Sequence, residues 1–392
     1  MATSLVTRPC YITRDEVIRA LDNAPAMRSM RAIDRKIVAA SETADSVCQR
    51  VFYPEDATRH FDWPNYQYTY PWKLYLDRSE LAGQPTLFTS GSLLTSPVVI
   101  PSNNYLLQPY DIGPPFTWIE LRRDLSSSFG NNPTPQQDIA ITGSFGYWLK
   151  TAPAGSLAVA VNASQTTVQV SAGPTVGPGV GDVMVVDSER MLVQDVTFVD
   201  TTIIPTSGGS SQQKSDVILV VPDGTKFSVG EVILIDSEWM LIEAIYGNNL
   251  QVQRAYAGSL LVGHNDSSIW ANRLLTVQRG SLGTTAASHL INAAASVTIA
   301  PGLIRDFTMA TALIGSVNEP SAYSVQTTAS WYGSNARMNG VNREAAAGVG
   351  YQGLIAMLEQ SIYVRKARSR VVLWASGSAW TSAGLSPGAR LR

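Results

Sequence analysis

The chain has 392 residues and a formal net charge of −2, and charged residues make up only 15% of it, below the roughly 25% of average globular proteins. This balance excludes a strongly basic protein whose main activity is bulk binding of nucleic acid or membrane, and two cysteines exclude a disulfide framework. We see no secretory signal pattern and no apolar run near the roughly 20 residues that span a bilayer, so we expect synthesis and assembly in the cytosol.

The N-terminal region is predicted to be helical. Thr13 and Glu16 have the spacing of a capping box, which starts a short helix to about Asp22. A longer helix is predicted over residues 28–51, because its apolar residues recur every three or four positions. That stripe contains Met30, Ile33, Ile37, Ala40, Ala44, Val47 and Val51, with Cys48 on it as a small buried side chain and Arg31, Asp34, Arg35, Glu42 and Asp45 off it.

The stretch 52–155 is rich in aromatic residues and prolines, which exclude helix interiors. Alternating tyrosines at 66, 68 and 70, and the segments 118–121 and 139–142, are predicted to be strands. The aromatic run 61–75 fits a carbohydrate-stacking platform, but it fits a core or a subunit interface equally well.

A repeat follows in the middle of the chain. Residues 181–193 (GDVMVVDSERMLV) resemble residues 230–242 (GEVILIDSEWMLI), and each copy reads as a hairpin with an Asp-Ser-Glu turn. A shorter echo, Val-Gln-Arg followed by Gly and His, runs from 252 to His264 and from 277 to His289. The repeats predict small duplicated β-modules. A further strand is predicted over 165–170 and a loop over the Gly/Ser-rich stretch 206–215.

The chain is predicted to return to helix near Pro301. The apolar stripe of this helix comprises Leu303, Ile304, Phe307, Ala310, Ile314 and Val317. A loop containing Pro320, Gly333 and Gly340 follows, and a last helix is predicted over 342–370, with Arg365, Lys366, Arg368 and Arg370 near its C-terminus.

Neither end of the chain has a helix that can bury its apolar stripe alone, so we expect the two N-terminal and two C-terminal helices to pack together. The predicted fold class is α+β, with a discontinuous four-helix core and a large, mainly antiparallel β insertion. The expected divisions are the two parts of the core at 1–57 and 300–370, β regions at 58–155 and 156–299, and an extended tail at 371–392.

The search for chemistry predicts no active site, cofactor site or metal site. His264 and His289 lack neighbouring ligands at metal spacing, and His60 stands alone. The carboxylates Asp187, Glu189, Asp236 and Glu238 fall in predicted turns, although they leave acid–base chemistry and calcium binding as alternatives. The G-x-S-x-G string at 384–388 lacks a strand, a helix and a downstream histidine, and the stretch 208–215 lacks a required glycine of a phosphate loop.

The organisation resembles the head-to-tail connector (adaptor) proteins of long-tailed bacteriophages. The resemblance rests on Pro-Cys-Tyr-Ile-Thr at 9–13 opening a short helix and on a longer helix ending at Arg-Val-Phe-Tyr-Pro, 50–54. The segments 57–64 (ATRHFDWP) and 138–148 (DIAITGSFGYW), and the Val-Gln-Arg-Gly…His repeat, are similar to versions from actinobacterial phages. The large β insertion departs from the minimal pattern of the family.

The resemblance implies a structural virion protein of the neck that assembles in the host cytoplasm, without a cofactor or a membrane. It implies a ring, usually of twelve copies, that docks on the portal protein, meets a stopper or tail-completion protein and continues the DNA channel. The insertion would decorate the neck or touch the major capsid protein. Trp374, Trp380, Arg390 and Arg392 in the tail are predicted to contact a partner. The basic residues at 365–370 are predicted to lie at the channel or between subunits.

Two other functions remain open from the sequence. A tail or baseplate protein would use the β-modules to bind host glycans. A virion hydrolase would need a nucleophile or an acid–base pair that the sequence does not offer.

Overall fold

A computed structural model describes residues 6–21, 29–64, 70–147, 150–171, 177–206 and 212–329, with side chains up to Ser316 in the last of these ranges. The described part is mixed α+β, with three helices and three antiparallel sheets. The predicted fold class is therefore confirmed at this level. The predicted fourth helix at 342–370 and the tail lie outside the described residues.

Two of the helices come from the N-terminal region. α1 (Arg14–Leu21) begins at the predicted capping box, in which Glu16 N donates to Thr13 Oγ1 (3.2 Å) and Thr13 N donates to a Glu16 carboxylate oxygen (2.9 Å). α2 (Met30–Cys48) is capped by Ser29, whose side chain accepts a hydrogen bond from Ala32 N. Most of the predicted stripe of α2 is buried, Cys48 included. Val51 is an exception, since it lies beyond the helix and is 37% exposed.

Asp34 was expected on the polar side of α2, and it is buried instead. Its two oxygens accept from Arg14 Nε (2.7 Å) and Nη2 (2.8 Å), and Arg14 Nη1 also reaches Asp195 in the large sheet (3.0 Å). A buried carboxylate needs such a partner. This ion triad fastens both N-terminal helices to the β region.

The third helix comes from the C-terminal side. α3 (Gly302–Ala329) packs against α2 in two apolar clusters. Ile33 and Ile37 of α2 share one cluster with Leu313, and Cys48 shares the other with Phe307. The expected meeting of helices from distant parts of the chain is observed for the described part of α3. The prediction of a loop at Pro320 is wrong, because α3 continues through this residue. An internal proline removes one helical hydrogen bond, and here that loss does not end the helix.

Two small sheets follow α2. The first has the order β1-β7-β3-β4, and the second has the order β2-β6-β5. Their strands are β1 (Glu55–Phe61), β2 (Lys73–Tyr75), β3 (Leu87–Ser90), β4 (Val98–Val99), β5 (Tyr105–Gln108), β6 (Trp118–Leu121) and β7 (Ile139–Phe145). The predicted strands at 118–121 and 139–142 are confirmed. One core serves both sheets, with Trp63 and Phe88 each in ring contact with Phe129.

The remaining strands form one ten-stranded sheet in the order β12-β15-β14-β13-β16-β11-β10-β17-β8, with β9 also paired to β16. They are β8 (Thr151–Ser156), β9 (Thr167–Gln169), β10 (Val183–Val186), β11 (Glu189–Ile203), β12 (Ile218–Val220), β13 (Val232–Ile235), β14 (Glu238–Tyr246), β15 (Asn249–Gln253), β16 (Ile269–Gln278) and β17 (Ala294–Thr298). The two predicted hairpins are β10–β11 and β13–β14.

In this sheet, one copy of the repeat is inserted within the other. We call β9, β10, β11 and β16 the outer module, and β12 to β15 the nested module. In the outer module β16 pairs with β9 and β11, and in the nested module β15 pairs with β12 and β14. The nested module lies in the connection from β11 to β16. In each module the second strand of the hairpin pairs with a strand that comes later in the chain, β16 in the outer module and β15 in the nested module.

Candidate functional site

Each module contains a group of four ionisable side chains around one buried glutamate. We call Asp187, Glu189, Arg279 and His289 the outer cluster. Arg279 Nε and Nη2 donate to the two Glu189 oxygens at 2.7 and 2.8 Å. His289 places Nε2 at 2.9 Å from Glu189 and Nδ1 at 2.7 Å from Asp187. The cluster therefore joins the hairpin turn to the segment that follows β16.

The nested cluster repeats this arrangement with Asp236, Glu238, Arg254 and His264. Arg254 Nε and Nη2 both lie 2.8 Å from the Glu238 oxygens. His264 places Nε2 at 3.0 Å from Glu238 and Nδ1 at 2.7 Å from Asp236. Both turn aspartates have φ of 53°, a left-handed conformation that Asp tolerates better than most residues.

Each of the two arginines uses all five of its N–H donors. Besides Glu189, Arg279 donates to the carbonyls of Asn162, Gln165 and Ala287 at 2.6 to 2.9 Å. Arg254 donates to the equivalent carbonyls of Gln213, Asp216 and Val262 at 2.6 to 2.9 Å. Each arginine thus holds two separate loop segments, through three carbonyls, around one buried carboxylate, which the fixed fork of a guanidinium allows.

The histidines bridge the two carboxylates of each cluster. Both ring nitrogens of His264 and of His289 lie within hydrogen-bond distance of carboxylate oxygens. The histidine rings and the two glutamates are buried, whereas the outer side chains Asp187 and Asp236 are 65% and 47% exposed.

The pKa values of the glutamates reflect these contacts. Burial opposes ionisation of Glu189, but Arg279, the backbone N–H of Ala287 and His289 together lower its pKa to about 2. Arg254 and the backbone N–H groups of Val262 and Ala255 outweigh burial in the same way and lower the pKa of Glu238 to about 2. Both carboxylates stay ionised at neutral pH and act as hydrogen-bond acceptors.

The clusters therefore have the chemistry of structural fasteners. Their glutamate oxygens are occupied by arginine, histidine and backbone donors, which leaves little capacity for a substrate or an ion. Among the described residues, no group of three or more His, Cys, Asp or Glu side chains is arranged to hold a metal ion. His60, the third histidine, is exposed on β1 and belongs to neither cluster.

The modules differ where they meet the rest of the protein. Arg190, next to Glu189, forms an ion pair with Asp56 (2.9 Å) and donates to Ser144 (3.1 Å). It thereby ties the outer module to the β1–β7 sheet. The equivalent residue of the nested module is Trp239, which packs against Phe198 and the helical core. One repeated position thus serves two different junctions.

A second feature is a cleft of about 280 Å³ where the helices meet the large sheet. We call it the junction cleft. Its lining includes Cys10, Tyr11, Phe52, Tyr53, Asp182 and Arg305. The N-terminal segment is held there by a hydrogen bond from Cys10 N to Gly181 O (2.9 Å), and Arg305 of α3 forms an ion pair with Glu16 of α1. Burial raises the pKa of the Cys10 thiol to about 12 and that of Asp182 to about 7.

The site residues predicted from sequence fall largely elsewhere. The basic set Arg365, Lys366, Arg368 and Arg370, and the tail set Trp374, Trp380, Arg390 and Arg392, lie outside the described residues, as does the G-x-S-x-G string. In the aromatic run 61–75, Trp63 and Leu74 are core residues, whereas Tyr70 is 40% exposed. His264 and His289 lie within hydrogen-bond distance of the turn residues Asp236 and Asp187.

Sequence reasoning missed the arginines of the clusters and the junction cleft. The Val-Gln-Arg repeat was visible, and its arginine was the available signal, since a repeated arginine beside a repeated buried acid indicates an ion pair. The cleft has no local pattern, because its walls come from segments nearly 300 residues apart in the chain.

Comparison of the chain with protein-family models, with curated proteins and with solved structures finds no match in any of the three. Within the described ranges, no helix has both the length and the apolarity needed to cross a lipid bilayer.

Proposed function

We propose that this protein is a structural subunit of a head-to-tail connector ring, which docks on the portal protein of a long-tailed phage and continues the DNA channel toward the tail. The observation that carries the proposal is the packing of α1 and α2 against α3, with the β region leaving from between them. This arrangement agrees with a discontinuous four-helix adaptor core, in which the predicted helix at 342–370 supplies the fourth member.

The chemistry of the described residues also supports a structural function. The most conspicuous charged clusters are occupied by their own internal partners, and they brace loops of the β-modules. Such clusters favour a rigid scaffold over an enzyme, because a catalytic site keeps acids or bases free to reach a substrate.

The β region supports the proposal through its surface. The β3–β4 hairpin exposes Leu93 (57%), Val98 (49%) and Val99 (56%). Contiguous exposed apolar residues mark surfaces that bind other proteins. In a connector the major capsid protein at the neck is the partner that this hairpin would meet.

The mass of the full-length protein in solution tests the proposal, measured alone and with its portal protein by light scattering. We expect a single complex that contains several copies of the chain for each portal assembly. A protein that stays monomeric and elutes separately from portal at micromolar concentrations would rule the proposal out.

A glycan-binding tail or baseplate protein is the second candidate. The observation that favours it is the β2-β6-β5 sheet, where the half-buried cross-strand pair Tyr75 and Trp118 has ring centroids 5.9 Å apart. Adjacent aromatic rings with polar neighbours suit the stacking of sugar rings. Binding of the full chain to a glycan array, lost in Trp118→Ala and retained in an exposed Tyr246→Ala control, would favour this function over a ring.

A further inference from the structure

One acidic position of the duplicated modules has a different environment in each copy. Asp182 of the outer module and Glu231 of the nested module both follow a glycine of positive φ and precede the first hairpin strand. Each accepts a hydrogen bond from the backbone N–H three residues before it, from Gly179 at 2.9 Å and from Ser228 at 3.0 Å. The two carboxylates are therefore structural equivalents.

Only the nested copy has a cation of its own. Arg273 donates to both oxygens of Glu231, from Nε at 2.6 Å and from Nη2 at 3.0 Å. Among the described residues, the Asp182 carboxylate accepts one hydrogen bond, from Gly179 N, and forms no ion pair. Arg305 lies nearby, but its guanidinium is paired with Glu16. The outer copy thus has the acid without the arginine.

The junction cleft is lined by Asp182 and has aromatic walls that include Tyr11, Phe52 and Tyr53. Burial chiefly, and then the negative charges of Glu16 and Asp15, raise the pKa of Asp182 to about 7. An incoming cation would offset both effects by stabilising the ionised carboxylate. A guanidinium fits such a place well, because it pairs with a carboxylate through parallel hydrogen bonds and stacks on aromatic rings.

We propose that the junction cleft is the binding site for an arginine side chain from the basic segment 365–370 of a second copy of this chain. The segment offers Arg365, Lys366, Arg368 and Arg370 to a cleft that contains Glu16 and Asp182. α3 carries its own chain away from the cleft, since the 24 residues from Arg305 to Ala329 span about 36 Å at the helical rise. The identification of the second copy rests on the proposed ring.

A peptide of residues 363–371, labelled with fluorescein, tests the chemistry by fluorescence anisotropy. The receptor is the full chain with glutamine at 365, 366, 368 and 370, which leaves the cleft open. We expect binding that weakens at least tenfold when Asp182→Asn is added, and no change for the exposed Asp266→Asn. Thermal melts check that each variant is folded. Equal binding by the Asp182→Asn receptor, or by a peptide with glutamine at the four basic positions, would overturn the proposal.

Disulfide trapping in the full-length protein identifies the copy that supplies the segment. Ala367→Cys keeps all four basic residues, and Cys10 lines the cleft while Cys48 is buried. Under copper–phenanthroline oxidation we expect a ladder of linked chains that disappears when Cys10→Ser is added. A link within one chain, or no link, contradicts a second copy in the cleft. A ring that still forms on portal in that case would leave the proposed function intact.

Discussion

Glu189 and Glu238 are almost fully buried carboxylates, and each forms an ion pair with one arginine and contacts one histidine ring nitrogen. Removing one member of such a group leaves an unpaired buried charge, which costs more than the intact group contributes. The clusters are therefore the positions where single substitutions should affect stability most among the polar residues.

Substitution of Arg279 by Met tests this dependence. The side chain keeps similar bulk, but Glu189 and three loop carbonyls lose their donor, so we expect a loss of about 3–5 kcal/mol in the free energy of unfolding. Urea denaturation followed by circular dichroism measures it. Arg122→Met is the matched control, because Arg122 forms an exposed pair with Asp124 and should change stability by less than about 1 kcal/mol. Equal effects at the two positions would show that the outer cluster does not stabilise the fold.

Acid should weaken the same clusters. The pKa of each glutamate is about 2 in the folded chain and near its usual 4.5 when unfolded. The folded state then binds fewer protons than the unfolded state between these values, so their contribution is complete above pH 4.5 and is lost as pH falls toward 2. We expect the urea midpoint to fall across this window, and to fall less steeply in Glu189→Gln/Glu238→Gln, which is also less stable at pH 6. A wild-type midpoint as insensitive to acid as that of the variant would contradict the clusters' depressed pKa values.

At this scale the sequence revealed the acids and histidines but not their partners. Repeated Asp-Ser-Glu turns and histidines stand out in a single sequence. The contact from Glu189 to Arg279 spans 90 residues, and no local pattern reports a pairing across an inserted module.

The secondary-structure elements carry the apolar packing that joins the two ends of the described chain. Ile37 of α2 is fully buried and shares a cluster with Leu313 of α3. This packing combines helices that are marginal alone into one core.

A charge in that packing should unfold the helical core. Ile37→Asp places an unpaired carboxylate among apolar side chains, and we expect a destabilisation above about 4 kcal/mol or an insoluble protein. The matched control is Ala39→Asp, because Ala39 is exposed on the same helix. Expression yield and thermal melting compare the two. A soluble Ile37→Asp variant that melts like the control would show that α2 and α3 do not depend on each other.

The sequence predicted helices and hairpins well where a local period or a cap determined them. The capping box at Thr13 and the two hairpins are examples. The prediction failed at Pro320, where the helix continues through a residue that usually ends helices. It also missed the insertion of one module in the other, because strand order within a sheet is decided by contacts distant in sequence. The burial of Asp34 was missed for the same reason, because its partner lies on another helix.

For the whole molecule, the proposed ring implies that the tail, residues 371–392, binds the portal protein and does not contribute to the stability of the fold. Among the described side chains, which end at Ser316, the three sheets and three helices already form five apolar clusters. Deletion of 371–392 should therefore leave the melting temperature within about 2 °C of wild type, a shift of less than roughly 1 kcal/mol. It should abolish binding to portal, measured by co-sedimentation. Normal incorporation of the truncated protein into virions would contradict this assignment of the tail.

Electron microscopy of the full-length protein bound to its portal protein tests the central claim most directly. The account predicts class averages in which copies of this chain form a closed ring coaxial with the portal, with an open channel on the axis. Particles in which the chain is absent from the portal, or bound as isolated copies around its outside, would contradict it.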